Sequence, residues 1–205
     1  MSNTKKPIRI GRVLLSCVLV AVLLVVGAFL ALTLTEYKPE AVEAVETPDC
    51  DERVKAGQSL TVVSFNTGYA ALGEDADFFM DGGVTTRPES ASAVETNMEG
   101  IASILNDLGA DIIMLQEVDT GSRRSYGFEQ ASYYGEQLGK PYMFALNFSS
   151  TFVPYPLSGM IGRVNSGLAT YTNLCSAEAE RVQLPVPFSW PIRCFNLKRC
   201  LLISR

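Results

Sequence analysis

The stretch "GADIIMLQEVD", residues 109 to 119, runs through apolar side chains and then turns polar at Gln116, Glu117 and Asp119. A carboxylate delivered at the end of a segment built for burial is the kind of group that ligates a hard cation or has its proton affinity set by its surroundings. It is also how an ordinary strand leaves a core, and pattern alone does not choose between the two. A second apolar run, "SLTVVSFNTGY" at 59 to 69, ends at Asn66, whose amide offers one oxygen acceptor. Shortly after Glu117, Arg123 and Arg124 in "DTGSRRSY" supply guanidinium groups whose planar donors suit a phosphate. The commoner fate of such a pair is a solvated loop.

The elements that must position these groups follow from periodicity. The β-branched and aromatic residues ending at Asn66 predict a short, largely buried strand, with Gly68 turning the chain. From Ser90 to Leu108, the residues Val94, Ile101, Ile104, Leu105 and Leu108 recur at helical spacing, and Gly109 marks a stop. A second strand, Asp111 to Leu115, follows at once. If the two strands share a sheet directly, a right-handed crossover makes them parallel, so their carboxyl ends meet on one edge. Asn66 and Glu117 then emerge near one another, where α/β sheets favour ligand crevices.

The remaining segments carry weaker signals. Residues 67 to 90 exceed the ~12–15 residues of an ordinary connection, which marks a functional or disordered loop. Its "DADFFMDGG" fails as a calcium loop, because Phe79 and Met80 stand where an EF-hand needs its third acid and its glycine. An exposed turn cluster is the better reading, with Phe78, Phe79 and Met80 pinning it to the body or edging a pocket. "FEQASYYGEQLG" at 128 to 139 predicts a short helix in which Tyr133 and Tyr134 pack. The prolines of "FVPYPLSGMIG" and "LPVPFSWPIR" predict rigid surface loops. Trp190, the only tryptophan, is open to three roles: burial against a neighbouring loop, the edge of a cleft, or a dip toward a membrane. Gly167 in "SGLAT" is either a close backbone approach or a strand irregularity. Lys198 and Arg199 fall in a closing strand, where successive side chains point apart.

Residues 13 to 34 carry no charge, and at ~1.5 Å per residue they reach across a ~30 Å hydrocarbon layer. The reading is a transmembrane helix, 13–35, following a basic cytoplasmic arm, 1–12. Lys5, Lys6, Arg9 and Arg12 precede the span and acids crowd its far side, which places the amino terminus in the cytoplasm and the bulk outside the cell membrane. The competing reading is a cleaved signal peptide, but the run exceeds a ~7–15-residue signal core and "AFLAL" has no small-x-small site. "LLSC" at 14 to 17 is a poor lipoprotein box, coming before any apolar segment has passed. Residues 36–58 are acidic, broken by Pro39 and Pro48, and read as a tether.

The rest, 59–205, holds ten Lys and Arg against fifteen Asp and Glu, a charge of −5. A sequence-independent nucleic-acid binder needs the opposite sign, so nucleic acid is a disfavoured partner, although a bound divalent metal offsets some of the repulsion. Cys50, Cys175, Cys194 and Cys200 fall outside the span and Cys17 within it, none in C-x-x-C spacing. Cys194 and Cys200 either bridge or serve as small buried hydrophobes.

"TVVSFNTGY", "DIIMLQEVD" and "NSGLATYT" at 165 to 172 occur in the order seen in the endonuclease/exonuclease/phosphatase superfamily, and residues 59–205 resemble the amino-terminal half of its membrane-anchored bacterial branch. The resemblance implies an α/β (α+β) fold, a four-layered sandwich of two mixed β-sheets flanked by helices. Here it is truncated and preceded by one transmembrane helix. It further implies hydrolysis of phosphoesters with Mg²⁺ or Mn²⁺, in which Glu117 matches the family's metal-binding glutamate and Asn66 the asparagine at the metal and phosphate. Mg²⁺ does use one or two carboxylates plus water and phosphate. Against the family pattern, the chain has no histidine and no later "D-x-N" or "D-H" motif. The expectation is an amino-terminal part lacking its general base, inactive and poorly soluble alone.

Three functions follow as expectations. The first is an outward-facing anchored phosphodiesterase or phosphatase, with lipid-derived or small phosphoesters favoured by the acidic charge. The second is an extracellular nuclease, and the third a non-catalytic binding or scaffolding module.

Overall fold

The computed structural model describes residues 10–50, 52–73 and 76–205. Lys5, Lys6 and Arg9 of the basic arm, Asp51, and the first acids of the 67–90 segment, Glu74 and Asp75, lie outside them. The chain begins with α1 (Ile10–Leu34), 25 residues long with none buried, and apolar enough to cross a membrane. Next come β1 (Val42–Val45), β2 (Val62–Asn66), 3-10 turns at Gly68–Ala70 and Phe79–Asp81, and α2 (Ala91–Asp107). The remainder is β3 (Ile112–Asp119), α3 (Gln130–Leu138), β4 (Tyr142–Val153), β5 (Gly162–Thr172), β6 (Ala179–Gln183), a 3-10 turn at Ile192–Phe195, and β7 (Cys200–Ser204).

The strands form two sheets, a four-stranded one in the order β2-β3-β5-β4 and a three-stranded one in the order β1-β6-β7. The fold is α+β. β2 and β3 run parallel, Asn66 opposite Gln116, as the strand-helix-strand order demands. The other pairs in this sheet are antiparallel, so it is mixed. The second sheet, expected to be mixed, is antiparallel throughout. Its first strand comes from the segment read as a tether: Val42–Val45 pairs with β6, and a disulfide from Cys50 to Cys175 fastens the same segment further on. Acid-rich composition hid this strand, since a four-residue edge strand needs little apolar content. Cys194 and Cys200 are free and buried, the small-hydrophobe alternative.

One face of the mixed sheet is covered by α2 and α3. Ser90 caps α2, its hydroxyl accepting from the Ala93 N–H at 3.1 Å. Val94, Met98, Ala102 and Leu105 form the buried stripe, packing with Ile113, Leu115 and Tyr134. Ile104 and Leu108, expected on that stripe, are 62% and 52% exposed; the stripe lies one position over. Gly109 ends the helix region at φ +54°, a conformation open to glycine at little cost. Val62 and Met114, which alternation turns to the opposite face, are exposed.

Arg181 of β6 joins the sheets. Its buried guanidinium donates to the carbonyls of Leu146 on β4 and Lys198, at 2.8 and 2.7 Å, and to the Gln183 side chain, while Glu43 of β1 balances its charge at 3.5 Å. A smaller core of Phe148, Val153 and Val164 completes the contact with the Ile192–Phe195 turn.

Candidate functional site

β3 does not stop at Leu115. Its pairing with β5 slips between Leu115 and Val118, and the extra residue of this bulge lets Val118 and Asp119 resume the ladder opposite Gly167 and Ser166. Glu117 is in the bulge at φ +58°, a left-handed conformation that a Cβ-bearing side chain adopts only at an energetic cost. The carboxylate is half-buried there, not past the strand's end. Gly167, paired to Val118 on one side and Leu146 on the other, has its reason in the same place: a Cβ would lie 2.4 Å from the Ala145 carbonyl oxygen. It is a close backbone approach.

Four non-glycine residues among those described have positive φ: Tyr69, Ala70, Glu117 and Tyr126. All belong to the carboxyl ends of β2 and β3 or the loops that leave them. Strained backbone gathered at one end of a sheet persists only when its surroundings over-determine it, and such clusters are typical of functional sites.

Those surroundings are explicit. Thr67, buried just after Asn66, donates its N–H to the Gln116 carbonyl at 3.0 Å and its hydroxyl to the Glu117 carbonyl at 2.9 Å, tying the two strand ends together. The Asn66 side-chain oxygen accepts from the Gly68 N–H at 2.9 Å, closing a tight turn. Gln130, at the start of α3 and fully buried, donates to the Tyr69 carbonyl at 2.7 Å and accepts from the Asp119 N–H at 3.0 Å. One amide thus links the segments that follow β2 and end β3.

Asp119, fully buried, accepts two bonds from Arg124, at 3.0 and 2.8 Å, and one from the Ser125 hydroxyl at 2.9 Å. The guanidinium carbon of Arg124 lies 3.5 Å over the centre of the Tyr69 ring. Burial works against the Arg124 charge, but Asp119 outweighs it and holds its pKa above the ordinary value. Arg124 is therefore committed inside the protein, bracing the loop against the strained Tyr69. Arg123 differs: it is exposed on the rim, one guanidinium nitrogen donating to the Met160 carbonyl at 2.8 Å.

The long 67–90 segment is anchored to this frame. Tyr126 donates to the Pro88 carbonyl at 2.8 Å, Phe78 packs 6.1 Å from Tyr69, and Phe79 packs 5.5 Å from Tyr155 of the β4–β5 hairpin. Phe78 and Phe79 pin the turn, whereas Met80 is exposed. A cavity of about 410 Å³ lies beside Asn66 between β2 and α2, lined by Phe65, Asn66, Asn97 and Ile104. Glu117 is not among its lining residues.

The structure thus brings Asn66, at the end of β2, beside the β3 bulge that holds Glu117, and sets Arg123 and Arg124 in the loop after β3. Sequence reasoning passed over Tyr69, Asp119 and Gln130, which hold the site. Asp119 stood in the quoted motif beside Glu117; nothing in the periodicity marked Gln130 or Tyr69. The donors are hard oxygens, right in type for Mg²⁺, but among the described residues no three His, Cys, Asp or Glu side chains gather into a metal-holding group.

No family model matches the sequence, and no curated protein matches it. Solved structures similar to it include the following two. One is an endonuclease/exonuclease/phosphatase from Beutenbergia cavernae DSM 12333, 18% identical, with a TM-score of 0.39 over 62% of this chain and 35% of that one. The other is an endonuclease/exonuclease/phosphatase family protein from Leptotrichia buccalis C-1013-b, 13% identical, with a TM-score of 0.33 over 63% of this chain and 50% of that one. The chain spans half or less of the length of these structures. Overlaps of that extent assign no role to any residue of this chain.

Proposed function

We propose that this domain belongs to a metal-dependent phosphoester hydrolase, a phosphodiesterase or phosphatase held at the membrane by α1 with its bulk on the outer side. The observation that carries the proposal is the strained carboxylate: Glu117 sits in a left-handed bulge, tied through Thr67 to the strand that ends at Asn66. A residue kept in an unfavourable backbone conformation by the hydrogen bonds of Thr67 to its strand is held there by its surroundings, and such strain is typical of functional sites.

Glu117 and Asn66 are the residues that would hold Mg²⁺ or Mn²⁺, the Asn66 oxygen exchanging or sharing its bond to Gly68. Bound there, the ion supplies neutralisation of charge on a phosphoryl oxygen and orientation of water. Arg123, exposed with one guanidinium nitrogen on the Met160 carbonyl, would meet a second phosphate oxygen with its remaining donors. Arg124 acts beneath, positioning the loop through Asp119. The chain has no histidine, so no imidazole of these 205 residues takes the proton of an attacking water. The net charge of −5 favours small or lipid-derived phosphoesters over nucleic acid.

The test uses the protein expressed from its complete reading frame, a generic aryl phosphodiester, and paired assays with added Mg²⁺ and with chelator. The expected result is chelator-sensitive turnover that falls by about 10²–10³-fold in Glu117→Gln, the scale of losing one electrostatic stabiliser of a transition state. Turnover unaffected by both the chelator and the substitution removes Glu117 and the metal from the function.

A further inference from the structure

The carboxyl end of α1 is gripped by the domain. Glu36, two residues past the helix, has a side chain only 1% exposed; Arg193 donates to it at 2.8 Å, and the Lys198 ammonium lies 3.2 Å from the same oxygen. Lys198 in turn donates to the Arg193 carbonyl, so the two cations and the carboxylate close on one another. One residue earlier, the hydroxyls of Thr35 and Thr151 at the end of β4 are 3.0 Å apart. Trp190 adds a third contact on the helix itself: its indole N–H donates to the Thr33 hydroxyl at 3.0 Å, and its ring centre lies 5.9 Å from that of Phe29. Phe29 and Thr33 are one turn apart on a single helix face.

We infer that the domain is locked against the membrane surface at the carboxyl end of α1, with Trp190 lying in the lipid interface as an anchor, and does not swing on a flexible tether. The inference rests on α1 crossing a bilayer. Twenty residue steps separate Val13 from Thr33, about 30 Å at ~1.5 Å each, so Thr33 reaches the hydrocarbon boundary when Val13 occupies the other one. Trp190 is bonded at that depth. It is 56% exposed in the protein, with Ile192 at 50% and Phe152, beside Thr151, at 42%. An amphipathic indole with its N–H satisfied and its ring uncovered has the character of a headgroup-level anchor. The occupant of this patch is lipid because the contacts that hold Trp190 are contacts to the spanning helix.

The single tryptophan makes the test direct. The full chain is reconstituted into phosphatidylcholine vesicles, floated on a density gradient, and its emission compared with that in vesicles of phosphatidylcholine brominated near the headgroup end of the acyl chains. Docking requires a blue-shifted emission that loses most of its intensity to the brominated lipid, and Glu36→Ala is expected to shift it to the red and relieve the quenching. A chain that floats but emits like indole in water, untouched by bromine, overturns the docking alone. One that does not float overturns the membrane reading and the docking with it. Quenching equal in wild type and Glu36→Ala removes the carboxylate from the grip and the locked geometry fails.

Discussion

Glu117 separates two demands that most residues satisfy together. At φ +58° a side chain bearing a Cβ opposes the backbone, so a residue selected for stability there would be glycine. Glu117→Gly is therefore expected to be at least as stable as the parent, while Glu117→Val, β-branched and left-handed, melts earlier by the equivalent of about 1–2 kcal/mol. Thermal unfolding of both variants alongside the activity assay checks the split; a Glu117→Gly variant that is both active and unchanged in stability means the carboxylate has no task. Asp119 is the opposite case. Its removal strands the Arg124 charge beneath the surface, and Asp119→Ala is expected to lose about 3–5 kcal/mol, measured by denaturant unfolding.

Elements place these residues through a few cross-links more than through their own propensities. β2 ends at Asn66 and β3 bulges at Glu117, but it is Thr67 and Gln130 that keep the two ends at one height. Thr67→Val retains the β-branched shape and deletes the hydroxyl; the expected loss is about 1 kcal/mol of stability, together with a larger fall in turnover than stability alone explains. The β1 segment is tied by Cys50–Cys175 across 125 residues. Cys175→Ser is expected to destabilise by about 2–5 kcal/mol, read by thermal melting, because the cross-link closes a long loop in the unfolded chain. A melting point insensitive to reductant rules that out.

The whole molecule depends on how α1 meets the domain, and this contact has a pH signature. Burial pushes the Glu36 carboxyl upward, but the hydrogen bonds from Arg193 and Lys198, with their charges, prevail and hold it below its ordinary value of 4.5. Lys38 and the Cys194 thiol also face it, at 3.8 Å each. A carboxylate whose pKa is lowered by folding contributes stability that is complete above 4.5 and is lost as the pH falls through its lower folded value. The emission of vesicle-bound Trp190 is expected to hold steady from neutral pH down to about 4.5 and to move to the red below it; a red shift centred near neutrality would implicate a different group.

The sequence determined by itself the apolar α1, the strand-helix-strand unit with Ser90 and Gly109 bounding its helix, and the parallel pairing of β2 and β3 that sets the end of β2 at Asn66 beside the Gln116–Glu117 stretch. Each depends on local periodicity or on chain handedness, which short windows contain. Tertiary structure alone decided the rest: the bulge that carries β3 past Leu115, the strand within an acidic segment, the partner of Cys50, the internal commitment of Arg124 and the grip on Glu36. These follow from contacts between residues far apart in the chain, where a polar side chain is placed by the donor or acceptor that meets it, and no window of neighbouring residues contains that partner.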